Sequence, residues 1–188
     1  MQKLFCVVIL LLYLPAIWAN LEDDILAAHN DLRVLHKVAP LRLNSQMSKE
    51  AAAHAKILAE KEDLIHSDST AYGENLCYTT FPPTTCVKSW YDEINKFDFA
   101  KPELSKSTTH FTQIIWKTTT DLGVGSAKSA DGMDYVVVRY KPPGNIDGQL
   151  QENVVPRFLK RGGNRRTKSE NVWILIIPLL LVVLSKLL

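Results

Sequence analysis

Three features of the sequence point to an α+β fold. Apolar residues recur at helical spacing through the first half of the chain, the period turns to alternation after residue 117, and Asp131-Gly132 separates two alternating segments. Helices come first and an antiparallel hairpin last, with one extended segment between them, unlike the repeating βαβ order of a parallel sheet.

Leu21, Ile25, Ala28, Leu32 and Leu35 share one face, so residues 21–37 are predicted to form a helix that Pro40 closes off. Asn44 or Ser45 caps a second helix, in which Met47, Ala51, His54 and Leu58 share a face and Ala52, Ala55 and Ala59 permit close packing. That phase turns His54 inward. Residues 72–76 read as a short strand or an extended entry to the cysteine loop. Thr85 caps a third helix carrying Val87, Trp90, Tyr91, Ile94 and Phe97, and Pro102 ends the segment after it. A short fourth helix starts at Thr108 or Thr109 and reaches about Lys117. The segments GVGSAKS and MDYVVVRYK then form the hairpin, which Pro142, Pro143 and Gly144 terminate.

Both ends of the chain lie outside this domain. Lys3, the apolar run from Leu4 to Leu14 and the small Ala19 have the layout of a secretory signal peptide over residues 1–19. Residues 20–155 then form one domain of ordinary size, 156–171 a basic linker and 172–188 an apolar tail. As a spanning helix the tail's 17 residues reach only about 26 Å, and the cations before it oppose the positive-inside bias. As a glycolipid-anchor signal it has small Gly162, Gly163 and Asn164, a polar spacer from Arg165 to Asn171, and then the apolar stretch. Either way the tail predicts membrane association, and the chain is expected in the secretory pathway, extracellular or at the outer face of the plasma membrane.

The domain holds 14 basic and 19 acidic residues, a net charge of −5, so no basic stripe supports nucleic-acid binding. The linker carries the positive charge, next to where lipid head groups would lie. Cys6 leaves with the signal, and Cys77 and Cys86 remain as a pair in an oxidising compartment. Bridged, they close the loop YTTFPPTT and contribute about 2 to 3 kcal/mol by chain-entropy estimates; the alternative is two free buried thiols. No Asn-x-Ser/Thr site occurs.

Four titratable residues interrupt apolar surroundings: His54, Glu74, Glu93 and His110. Buried without partners they would cost free energy, so they are expected to satisfy one another. Two imidazoles can bind zinc, with His54 and His110 as the ligands, and a carboxylate can orient an imidazole or act as a general base, which makes Glu74 and Glu93 the candidates for catalysis. The spacing itself is a weak signal, since no HExxH motif is present.

HFTQIIW followed by YVVVRYKPPGN resembles the two signature motifs of the CAP superfamily, which includes cysteine-rich secretory proteins, venom allergens and plant pathogenesis-related proteins. AHNDLRVLHKVAPLRLN is similar to that family's opening helix, and HSDSTAYGENL and WYDEI to its two glutamate segments. The second signature and the closing QENVVP look most like the Golgi-associated pathogenesis-related-like branch. The resemblance covers about residues 21–155 and implies a three-layer α-β-α sandwich with a small antiparallel sheet. It also implies an open cleft holding two His and two Glu, matched here to His54, Glu74, Glu93 and His110. Thr109 departs from the family's usual residue before the histidine, and Val138 stands where secreted members carry a cysteine. The cysteine-rich hinge domain of some members is missing.

The resemblance implies a surface-displayed binding module for lipid, sterol or protein ligands, with the cleft as an optional metal site. The stapled loop Tyr78 to Thr85 offers Phe81, Pro82 and Pro83 as a contact surface, the plainer alternative being an ordinary surface loop. The other function is a metal-dependent, protease-like hydrolase using the same cleft, for which no nucleophile elbow is present. A third possibility is structural, with His54 bonded to a glutamate to hold its helix to the sheet.

Overall fold

The computed structural model describes residues 20–158. The expected signal peptide, the linker from residue 159 and the apolar tail lie outside the described residues.

Asn20 opens α1 (Leu21–Leu35) by accepting a hydrogen bond from the Glu22 N–H at 3.2 Å, and Glu22, Asp23 and Asp24 add negative charge at the positive end of the helix. A two-residue strand, β1 (Arg42–Leu43), leads to Asn44, which caps α2 (Ser45–Lys61) by accepting from the Met47 N–H. Next come β2 (Gly73–Thr79), α3 (Thr84–Asp92), a 3-10 turn at Glu93–Lys96, α4 (Thr109–Ile115), β3 (Asp121–Lys128), β4 (Asp134–Lys141) and a last turn of helix, α5 (Leu150–Asn153).

The sheet order is β1-β3-β4-β2. Along β4 the side chains alternate between two cores. Tyr135 and Val137 face α2 with Leu76, Ala51, Ala55 and Leu58, while Val136, Val138 and Tyr140 face the other way, against Ile25, Trp90, Phe111 and Ile115 of α1, α3 and α4. The sheet is therefore the middle layer of an α-β-α sandwich, with α2 alone on one side. Burial on both faces explains why β4 reads as an almost unbroken apolar run. Gly123 and Gly125 let α2 lie directly on β3: a Cβ on Gly125 would stand 2.1 Å from the Ala52 nitrogen.

Several local expectations differ from the structure. The sheet gains β1, which pairs in parallel with β3 at Arg42↔Asp121 and Leu43↔Leu122, so it is mixed and not wholly antiparallel. Two residues carry too little pattern to reveal a strand. Thr85 does not cap α3; its hydroxyl donates to the Pro82 carbonyl at 2.8 Å, and the helix starts at Thr84 behind Pro83. Helix geometry tightens at Glu93, where the 3-10 turn begins.

The buried centre of α1 is polar. Ile25, His29 and Arg33 are inside, whereas Leu35 of the expected apolar stripe is exposed. Arg33 is 0% exposed and donates to the carbonyls of Ala39, Ile114, Trp116 and Thr119 at 2.7 to 3.1 Å. It thus satisfies backbone acceptors at the C-terminal end of α4 and in the turn after it. His29 bonds the Ile25 carbonyl through Nδ1 and the Tyr140 hydroxyl through Nε2, at 2.8 and 2.7 Å.

Candidate functional site

Edge strand β2 places Glu74 and Asn75 on alternate faces, and one polar group is built on each. On the α2 face Glu74 stands directly across from Arg139 of β4. Its side chain is only 6% exposed, and each oxygen takes two donors. Oε1 accepts from the Ser67 N–H at 3.0 Å and from His66 Nδ1 at 3.1 Å; Oε2 accepts from the Ser67 hydroxyl at 3.0 Å and from Arg139 Nε at 3.1 Å. Burial pushes the Glu74 carboxyl up, but the bonds from His66, Ser67 and Arg139 outweigh it and hold the group at about 2. Arg139 also reaches Glu50 of α2 at 3.6 Å.

On the other face Glu93 and His110 form the second group. His110 Nδ1 donates to Glu93 Oε1 at 2.7 Å, and Glu93 Oε2 accepts the backbone N–H groups of His110 and Phe111. Thr108, at the cap position of α4, makes no side-chain cap bond, so Glu93 caps this helix from a distant segment. Trp90 stacks on the imidazole at 6.1 Å between centroids and 21° between planes. Asn75, next to Glu74 in the chain, donates from Nδ2 to the His110 carbonyl at 3.2 Å and so ties β2 to α4.

Of the sequence-predicted residues, Glu74 lies in the first group and Glu93 and His110 in the second. His54, on α2, is not in bonding contact with a carboxylate. Its Nε2 meets the Ile65 carbonyl at 2.9 Å, so that nitrogen carries the proton, and Glu74 is 3.9 Å away. The ring is 12% exposed and ties the segment after α2 to the helix. The histidine that bonds Glu74 is His66, which no sequence pattern singles out and whose side chain is 63% exposed. It sits in an aperiodic segment where no helix or strand phase assigns a direction. Arg139 did leave a signal: a guanidinium inside a strand buried on both sides requires an acceptor.

Carboxylates accept and do not donate, so both bonds fix the imidazole tautomer, with Nδ1 protonated and the lone pair of His66 and His110 on Nε2. Among the described residues no three His, Cys, Asp or Glu side chains form a ready metal cage. A hollow of about 270 Å³ beside His66 is lined by Ile57, Leu58, Ile65, Lys61 and His54. A larger one of about 430 Å³, between residues 102–104 and 147–151, touches neither group. Cys77 and Cys86 are bonded at 2.04 Å, which staples the end of β2 to α3 and leaves Phe81 exposed between them.

Known proteins carry the same framework. The human Golgi-associated plant pathogenesis-related protein 1 is 38% identical over 142 residues, covering 72% of this chain and 92% of that one. Protein PRY2 of Saccharomyces cerevisiae is 37% identical over 131 residues, but those cover 68% of this chain and only 39% of the yeast protein. Among solved structures, BmVAL-1 matches with a TM-score of 0.59 at 22% identity, over 77% of this chain and 86% of that one. NaASP2 with Zn2+ matches with a TM-score of 0.54 at 20% identity, over 72% and 85%. The model of the cysteine-rich secretory protein family, CAP, matches residues 26–140, and with the α-β-α sandwich around them the chain belongs to that family.

Proposed function

We propose that this protein is a secreted or cell-surface CAP domain that works as a binding module, held to a membrane at its C-terminal end by the tail at 172–188 or by a glycolipid that replaces it, and offering a His/Glu cleft of His54, Glu74, Glu93 and His110 to a ligand or a divalent metal. The observation that carries the cleft is the His110–Glu93 pair, an imidazole gripped at Nδ1 by a carboxylate with its Nε2 lone pair unshared. That is the arrangement in which a histidine is held ready to coordinate. We propose His54 and His110 as the zinc ligands, since the His54 bond to Ile65 uses Nε2 and leaves Nδ1 to coordinate; His66, bonded to Glu74 in the hollow that His54 also lines, is the further imidazole to test. Bound zinc would supply a positive charge and open coordination positions for an anionic ligand group. The solved structure described as NaASP2 with Zn2+ makes zinc the first metal to test.

Catalysis by a glutamate is the weaker alternative. Glu74 accepts four hydrogen bonds and is held at about 2, a poor base at neutral pH, and Glu93 is committed to His110 and to the end of α4. Lipid, sterol or protein ligands are assigned to the stapled loop, where Tyr78 and Phe81 are exposed.

Zinc titration by calorimetry on residues 20–158 tests the cleft. Binding tighter than about 1 mM should be lost in His54→Ala and in His110→Ala while both variants still melt cooperatively; loss in His66→Ala with binding kept in His54→Ala would move the site to His66. No binding by the wild type removes the metal site. Phospholipase release from intact cells separates glycolipid attachment from a peptide span, and mass spectrometry of co-purifying lipids tests the loop.

A further inference from the structure

The C-terminal end of α1 carries an apolar patch that nothing among the described residues covers. Val34 is 68% exposed, Leu35 lies beside it, and Phe158 is 62% exposed. Phe158 is fastened there: its N–H donates to the Leu35 carbonyl at 2.8 Å, and the Lys37 ammonium sits 3.0 Å from its ring centroid. Arg157 lies over Tyr91 at 5.9 Å and extends the positive rim. His36, next to Leu35, bonds the Val155 carbonyl through Nδ1 and so ties the chain before Phe158 to this end of α1.

The chain beyond Phe158 identifies the occupant. Residues 159–171 carry Lys160, Arg161, Arg165, Arg166 and Lys168 against a single acid, Glu170, and the apolar tail begins at Val172. Thirteen residues reach at most about 45 Å in any conformation. With the chain attached to a bilayer beyond this segment, through the tail or through a glycolipid in its place, Phe158 is the described residue tethered closest to it. Aromatic and aliphatic side chains rimmed by cations suit the headgroup layer, where rings and methyl groups enter the acyl boundary and ammonium and guanidinium groups meet phosphates.

We propose that Val34, Leu35, Lys37, Arg157 and Phe158 form the face with which this domain lies on a phospholipid bilayer, so that the stapled loop and the His/Glu cleft are held in one orientation to the membrane. This face rests on the membrane attachment in the proposed function. Ile57, an equally aliphatic exposed residue on α2, is on the opposite helix layer and serves as the internal control.

The test uses residues 20–188, tail included, reconstituted in phosphatidylcholine vesicles containing phosphatidylserine and nitroxide-labelled lipid. A polarity-sensitive fluorophore is attached at Val34→Cys or at Ile57→Cys. The expected result is a blue shift and at least about twofold stronger nitroxide quenching at position 34 than at 57, reduced when Phe158→Glu is added. Equal quenching at both positions, or none at 34 while the protein floats with the vesicles, overturns this face alone. A chain that does not float overturns the membrane attachment as well.

Discussion

Glu93 serves His110 twice: one carboxylate oxygen accepts the imidazole Nδ1 proton at 2.7 Å, and the other accepts the backbone N–H of the same residue at 3.0 Å. Ring and backbone are thereby fixed by one side chain, and α4 receives the cap its own Thr108 does not provide. Glu93→Gln should cost about 1 to 2 kcal/mol, because charge and one accepting oxygen are lost at the helix N-terminus. His110→Ala, which leaves the cap in place, should cost less. Urea denaturation of both variants checks the order.

Glu74 predicts an acid-sensitive fold. Its folded value of about 2 lies below the 4.5 of an unperturbed glutamate, so the unfolded chain binds the proton more readily. The stabilisation is complete above pH 4.5 and is lost as pH falls toward 2, on the order of 3 kcal/mol in all. Glu74→Gln should therefore be weaker than wild type at pH 7 and approach it near pH 2. Chemical denaturation across this range gives the difference.

His29 adds a second, higher window. Burial, offset in part by the Ile25 carbonyl, lowers it from 6.5 to about 4, so the neutral ring is the folded form. Stability is full above pH 6.5 and declines as pH falls to about 4, by roughly 3 kcal/mol. Burial lowers His36 too, which steepens the same decline. A His29→Gln variant should show a flatter pH dependence between those limits; an unchanged slope would assign the effect elsewhere.

Arg33→Met should destabilise by about 3 to 5 kcal/mol, since four carbonyls, three of them buried, lose the bonds Arg33 gives them and methionine supplies none. Burial lowers the guanidinium only to about 10, so it stays charged at neutral pH and is solvated by those carbonyls. Arg33→Lys, with fewer donors in a different geometry, should fall between the two. Thermal melting ranks the three proteins.

Gly125→Ala should cost about 1 to 3 kcal/mol, because the new methyl group meets the Ala52 backbone nitrogen and α2 has to move off the sheet. A melt that matches wild type would show that the α2 contact is loose.

The four main helices, the hairpin and the cap at Asn44 are legible along the chain, because helical and alternating periods and local capping chemistry act over a few residues. The Val136–Tyr140 run likewise announces a strand buried on both faces. Folding in three dimensions was needed to pair His66 rather than His54 with Glu74, to set β1 parallel to β3, and to fill the centre of α1 with Arg33 and His29. Those outcomes depend on donors and acceptors brought together from distant parts of the chain. His54 has a helix phase that points it inward, but the acceptor it finds is a carbonyl of the aperiodic segment that also carries His66, and no periodicity records where such a segment turns.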